Sequence, residues 1–158
     1  MASKITILVG TMTGTADLVA EEVRDRLRVA GAEVEIKAMD GAGADMLVPG
    51  RAYLICTSTY GQGDVPDNAQ AFFAALEAAK PALAGIEYGV IALGDRTYAQ
   101  TFCYGGKRFD ELLTKLGATR IGEPLYHDAS AGTMPEEVAV DWAAEWFETL
   151  RQPREEAA

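Results

Sequence analysis

Ile5-Thr6-Ile7-Leu8-Val9-Gly10-Thr11-Met12-Thr13-Gly14-Thr15-Ala16 joins an apolar run rich in β-branched residues to a glycine- and hydroxyl-rich turn and then to a helical pattern. A continuous apolar run of this length suits a strand covered on both faces, as in a parallel sheet. The helical pattern that follows covers residues 16–30, with Leu18, Val19, Val23, Leu27 and Ala30 expected on one face and Gly31 as the stop. A strand that enters a helix through a short turn is half of a βαβ unit, and the rest of the chain repeats the arrangement.

Val34-Glu35-Ile36 reads as a half-exposed strand, and Ala52-Tyr53-Leu54-Ile55-Cys56 as a second buried one. A helix is expected over 68–79, ended by Pro81. Tyr88-Gly89-Val90-Ile91-Ala92-Leu93 is another buried strand, followed by a helix over 105–116. Residues 119–126 form a weaker strand, interrupted by Gly122 and Pro124. The last helix spans 135–150, with Val138, Trp142, Trp146 and Leu150 along one stripe. Five strand–helix units in succession predict an α/β domain, a doubly wound parallel sheet with helices on both faces. The domain is expected over 1–152, with 153–158 a short polar tail.

Bulk properties narrow the functional classes. The 158 residues suffice for one domain with its own core. A formal charge of -10 repels nucleic acid and anionic lipid and steers the chain towards basic protein surfaces. No apolar run is long enough to span a bilayer and no signal peptide is visible, so a cytoplasmic protein is expected. Cys56, Cys103 and the single His127 lack metal-ligand spacing, so no metal site and no catalytic triad are expected.

Ligands of doubly wound sheets bind beyond the carboxyl ends of the strands. In the first such loop, Thr11, Thr13 and Thr15 with free helix N-terminal amides suit a phosphate, without Lys or Arg. The same threonines also suit a plain helix cap. The segment is neither a Walker A loop nor a G-x-G-x-x-G fingerprint. The second loop, Thr57-Ser58-Thr59-Tyr60-Gly61-Gln62-Gly63-Asp64-Val65-Pro66, offers an aromatic ring to stack on a flat ligand and two glycines that let backbone reorient. The third, Gly94-Asp95-Arg96-Thr97-Tyr98-Ala99-Gln100-Thr101-Phe102-Cys103, carries a second Tyr able to cover the opposite face.

These three segments, in this order, resemble the flavodoxin family, in the form found in the FMN domains of diflavin reductases and in the small stand-alone flavodoxins of the MioC type. The resemblance covers nearly the whole chain and implies a five-stranded sheet of order 2-1-3-4-5. It implies that Thr11, Thr13, Thr15, Ser58 and the amides of Met12, Gly14 and Ala16 hold the FMN phosphate. Tyr60 and Tyr98 would flank the isoalloxazine. Thr59, Asp95 and Cys103 would approach its pyrimidine edge through backbone groups, with Gln62, Gly63, Gly94 and Phe102 completing the site. The Gly61 carbonyl would turn to accept a hydrogen bond from N5 of the half-reduced flavin. Asp64 and Asp95 would disfavour the anionic, fully reduced form.

The implied function is that of a low-potential one-electron carrier, taking electrons from a ferredoxin/flavodoxin–NADP reductase and passing them to an acceptor that the sequence does not name; a monomer is expected because no exposed apolar helix face stands out. The third loop carries one more residue between Tyr98 and Phe102-Cys103 than the relatives it resembles, and Arg96 adds a positive charge to it. An NAD(P)H:quinone reductase on the same fold is the alternative. A phospho-receiver domain is excluded, because Thr57-Ser58 and Gly10-Thr11 stand where it needs carboxylates. Cys56 and Cys103 read as packing thiols, the Trp142/Trp146 stripe as helix packing, and His127 with Asp128 as an ordinary loop pair.

Overall fold

The apolar runs become the middle of a parallel sheet. The computed structural model describes residues 4–10, 15–40, 43–48, 51–57, 67–94, 103–128 and 132–151. Its elements are β1 (Lys4–Gly10), α1 (Thr15–Val29), β2 (Glu33–Ala38), a 3-10 turn (Ala44–Met46), β3 (Ala52–Thr57), α2 (Asp67–Ala79), β4 (Glu87–Gly94), α3 (Tyr104–Lys115), β5 (Thr119–Arg120), β6 (Leu125–Asp128) and α4 (Pro135–Arg151). The strands run in the order β2-β1-β3-β4, all parallel, and both β5 and β6 pair with β4.

Alternation along each strand sends side chains to two cores. Ile5, Ile7, Val9, Leu54, Cys56, Ile91 and Leu93 pack under α1 and α4. Leu8, Tyr53, Ile55, Tyr88, Val90 and Ala92 pack under α2 and α3. β3 is buried at every position, whereas edge strand β2 buries mainly Val34. That contrast is why Ala52–Cys56 reads as a solid apolar run and Val34-Glu35-Ile36 does not.

Two helix faces are turned relative to the expected ones. In α1 the buried stripe is Ala16, Val19, Ala20, Val23 and Leu27, and Leu18 is 46% exposed. In α4 it is Ala139, Ala143, Trp146, Phe147 and Leu150, with Val138 and Trp142 only half-buried. Small alanines let each helix approach its neighbour, so they lie inward where hydrophobicity alone favours the larger side chain. The indoles of Trp142 and Trp146 stack at 6.1 Å, and Trp146 fills the space above Gly89, where a Cβ would lie 2.4 Å from its Nε1. Both tryptophans are therefore packing residues, as expected.

The fifth sheet position is the other difference. The expected strand over 119–126 divides into β5 and β6, because Gly122 takes φ 69° and Pro124 has no N–H to offer a ladder. The break is bridged by Trp142 Nε1, which donates to the Glu123 carbonyl at 3.0 Å, and by Arg120 Nε, which donates to the Gly122 carbonyl at 3.2 Å. Beyond the break, His127 and Asp128 stand opposite Leu93 and Gly94 in β6, a strand pair rather than the expected loop pair.

Helix ends follow their residues. Gly31, at φ 103°, closes α1 with its N–H on the Arg28 carbonyl, and the next N–H, of Ala32, returns to Leu27. After α2 the corresponding left-handed position is held by Lys80, at φ 45°. A side chain pays sterically in that conformation and glycine does not. Lys80→Gly is therefore expected to stabilise the fold by roughly 0.5–1 kcal/mol, which a rise in the urea midpoint at unchanged slope would register.

Candidate functional site

The sheet brings the starts of the three candidate segments to one edge. Gly10, at the end of β1, stands opposite Thr57, at the end of β3, and Thr57 stands opposite Ala92, two residues before the end of β4. Segments 11–14, 58–66 and 95–102 thus leave neighbouring strands at their carboxyl ends. The chain reverses its winding between β1 and β3, since β2 lies on one side of β1 and β3 on the other. That switch point is where doubly wound sheets bind ligands.

Of the residues expected to contact a flavin, Thr15, Ala16, Gly94 and Cys103 are described. Thr11, Met12, Thr13, Gly14, Ser58, Thr59, Tyr60, Gly61, Gln62, Gly63, Asp95, Tyr98 and Phe102 lie outside the described residues, as do Asp64 and Arg96. Thr15 opens α1 at the surface, and Ala16 is buried beside it. The Cys56 thiol donates to the Ala16 carbonyl at 3.5 Å, tying the first turn of α1 to the end of β3.

At the other side of the edge, Cys103 is fully buried and left-handed, with φ 57° and ψ 22°. Its thiol donates to the Ala92 carbonyl at 3.4 Å and the His127 carbonyl at 3.6 Å, and its own carbonyl accepts the Lys107 N–H at 3.1 Å. His127 is itself buried, its Nε2 2.9 Å from the Thr133 hydroxyl.

Sequence reasoning missed two glycines here. A Cβ on Gly10 would lie 2.7 Å from Thr57 Oγ1 and 3.1 Å from both Ala69 Cβ and Met39 Sδ. A Cβ on Gly106 would lie 2.4 Å from Ala92 Cβ. Gly10 carried a signal, a glycine directly after an apolar strand and before a helix. Gly106 carried none, because what it touches is remote in sequence.

Cys56 behaves as a packing thiol. Burial, and secondarily the Asp17 carboxylate, push the Cys56 thiol up to about 12 from an ordinary 9.0. Burial and its bond to Asp110 likewise raise the Tyr88 phenol above its ordinary 10.0. In each case the neutral form is favoured by the fold, so the stabilisation is intact below the unfolded value and lost as pH rises through the folded one. Stability is expected to fall above roughly pH 9, by up to about 1.4 kcal/mol per pH unit for each such group. In Cys56→Ser the alkaline slope of the urea-unfolding free energy should be shallower by one group's share; an unchanged slope would refute the assignment.

At the described part of this edge Thr15 opens α1 at the surface, where the helix dipole favours an anion, while Gly10 and Gly94 at the strand ends close against Thr57 and Cys103. Among the described residues no group of three or more His, Cys, Asp or Glu side chains is placed to hold a metal ion. No helix there is long and apolar enough to cross a membrane.

A doubly wound sheet with this strand order, and with segments of this composition at its switch point, defines an α/β mononucleotide-binding protein. A family model described as Flavodoxin matches residues 7–142. Flavodoxin YqcA of Escherichia coli K12 is 41% identical over 145 residues, 91% of this chain and 96% of the relative. Protein MioC of the same strain is 33% identical over 147 residues, 93% and 98% of the two chains. The solved structure of a cysteine-to-alanine mutant of a flavodoxin from Pseudomonas aeruginosa superposes with a TM-score of 0.84 at 38% identity, covering 94% and 99%. This chain belongs to the flavodoxin family, the electron-transfer flavoproteins whose cofactor is FMN.

Proposed function

We propose that the chain is a low-potential one-electron carrier, with residues 1–152 as its FMN-binding domain and 153–158 as a polar tail. The observation that carries this reading is the convergence of three strand ends at the switch point, each continuing into a segment of flavin-binding composition. Bound FMN supplies the one-electron couple. Thr11, Thr13, Thr15, Ser58 and the amides of Met12, Gly14 and Ala16 hold its phosphate at the start of α1, where the helix dipole favours an anion. Tyr60 and Tyr98 cover the ring and keep water from it. Backbone groups of Thr59, Asp95 and Cys103 orient the pyrimidine edge, and Gln62, Gly63, Gly94 and Phe102 line the remainder.

Redox tuning comes from what these residues favour. The Gly61 carbonyl would accept a hydrogen bond from a protonated flavin N5, a contact that would separate the two electron steps. Asp64 and Asp95 repel further negative charge on the ring, which lowers the second potential.

The partners are basic redox proteins, with a ferredoxin/flavodoxin–NADP reductase as donor, met by a cytoplasmic monomer. The -10 charge supports this, and so do the carboxylates of α4 (Glu136, Glu137, Asp141, Glu145, Glu148), whereas those of α1 are nearly balanced by Arg24, Arg26 and Arg28. Such encounters weaken with salt. Anaerobic reductive titration tests the reading. Two resolved one-electron steps, with a new long-wavelength band at half reduction, are expected. A single two-electron step with rapid NADPH oxidation would instead make the chain a quinone-reductase-type enzyme. A colourless protein that FMN cannot reconstitute would remove both.

A further inference from the structure

We propose that the crevice between the ends of α2 and α3 binds a medium-chain fatty acid, its carboxylate between Lys80 and Lys115 and its tail along α3. The cavity there measures 420 Å³ and lies at the end of the sheet opposite Gly94, where both helices stop and β4 and β5 begin. Its floor is apolar, made by Pro81 and Ala82 after α2, Leu112 of α3 and Leu116 just beyond it. A second hollow of 230 Å³ continues the crevice past Leu112 to Phe73. Phe73, Leu112 and Leu116 are half-buried and pack on the core below. The floor is fixed, because the Leu83 N–H donates to the Leu116 carbonyl at 2.9 Å and joins the two helix ends.

Charge decides the class of ligand. The chain as a whole carries -10, yet the mouth of this cavity holds two exposed lysines, Lys80 after α2 and Lys115 in the last turn of α3. Among the described residues neither ammonium group takes part in an ion pair. Lysines at helix ends also complement the helix dipole, and for Lys115 that alone would suffice. Lys80 is different, because its φ of 45° is a left-handed conformation that glycine adopts more easily, so its side chain stands there at the expense of stability. Glu77 on the α2 rim and Glu111 farther along the α3 rim repel any second negative charge. Arg108, beside Phe73, already has an interaction partner. The crevice therefore suits one anionic head followed by an uncharged tail, and disfavours an acidic peptide. From Lys115 back to Arg108 the helix rises about 10 Å, which an extended chain of about ten carbons spans.

The crevice shares no residue with the flavin edge and needs no flavin to form. The test uses the full-length protein as purified, isotopically labelled and titrated with decanoate below its micelle concentration. Decyltrimethylammonium, with the same chain and the opposite head, is the matched probe. Amide chemical shifts locate each probe and give its dissociation constant. The variants are Lys115→Glu, Lys80→Gly and, as a control with the same change of net charge as the first, Lys37→Glu on the exposed edge strand β2.

Decanoate should shift the amides of Ala82, Leu112 and Leu116 saturably, and decyltrimethylammonium should leave them in place. Lys115→Glu should weaken decanoate binding about tenfold, and Lys37→Glu by less than about twofold. Lys80→Gly should weaken it about threefold while raising the urea midpoint. Binding and stability then move in opposite directions, which a lysine serving the fold alone would not produce. Equal binding of the two probes would reduce the crevice to an apolar patch and overturn the proposal. So would shifts centred on other residues, an unchanged affinity in Lys115→Glu, or no saturable binding of decanoate at all.

Discussion

Gly94→Ala is expected to weaken FMN binding at least about 100-fold, roughly 2.7 kcal/mol, while the sheet stays folded. The added methyl would meet Cys103 N at 2.6 Å, a backbone atom that cannot rotate out of the way. Cys103 is held by its two carbonyl partners and by the start of α3, so it resists being displaced. The last residue of β4 and the chain leaving it must move instead. Past Ala92, β4 is paired with β6 alone, Leu93 with His127 and Gly94 with Asp128, so the collision is confined to that corner of the sheet. Far-ultraviolet circular dichroism should therefore remain near wild type, and flavin fluorescence titration of the apoprotein should show the loss. Binding within threefold of wild type would mean that this strand end does not support the flavin.

Gly106→Ala should destabilise the fold by roughly 2–3 kcal/mol. Helix propensity argues the other way, because alanine in a helix interior is favoured over glycine by about 1 kcal/mol. The contact decides the sign. A Cβ at 106 would lie 2.4 Å from Ala92 Cβ, 3.2 Å from Ala92 Cα and 3.3 Å from Val90 Cγ1. Carbon atoms pack at about 3.5–4.0 Å, and Ala92 has no torsion that moves its Cβ away. Helix α3 must lift from β4, which also loosens Phe109 and Leu113 from the core they share with Val90. A urea midpoint equal to or above wild type would show that the helix can tilt at little cost.

These two positions mark where sequence reading stops. The buried strands were legible because a parallel strand covered on both faces has no polar alternation to disguise it. Ile5–Val9, Ala52–Cys56 and Tyr88–Leu93 each follow that rule. Gly31 was legible as a helix stop because the requirement for positive φ is local. The flavodoxin resemblance was legible for the same reason, since each loop motif is contiguous in the chain and the strand periods set its context.

What the sequence determined by itself was whatever a residue imposes on its near neighbours: strand or helix, cap or turn, the composition of each loop, and from these the family and FMN. Only the tertiary structure decided what meets across the chain. It turned Leu18 outward and the alanines of α1 and α4 inward, split the fifth strand at Gly122 and Pro124, and moved His127 and Asp128 into β6. It also set Gly94 on Cys103 and Gly106 on Ala92. The physical reason is common to all of these. Close packing is a relation between surfaces far apart in sequence, and no local propensity records how near they will come.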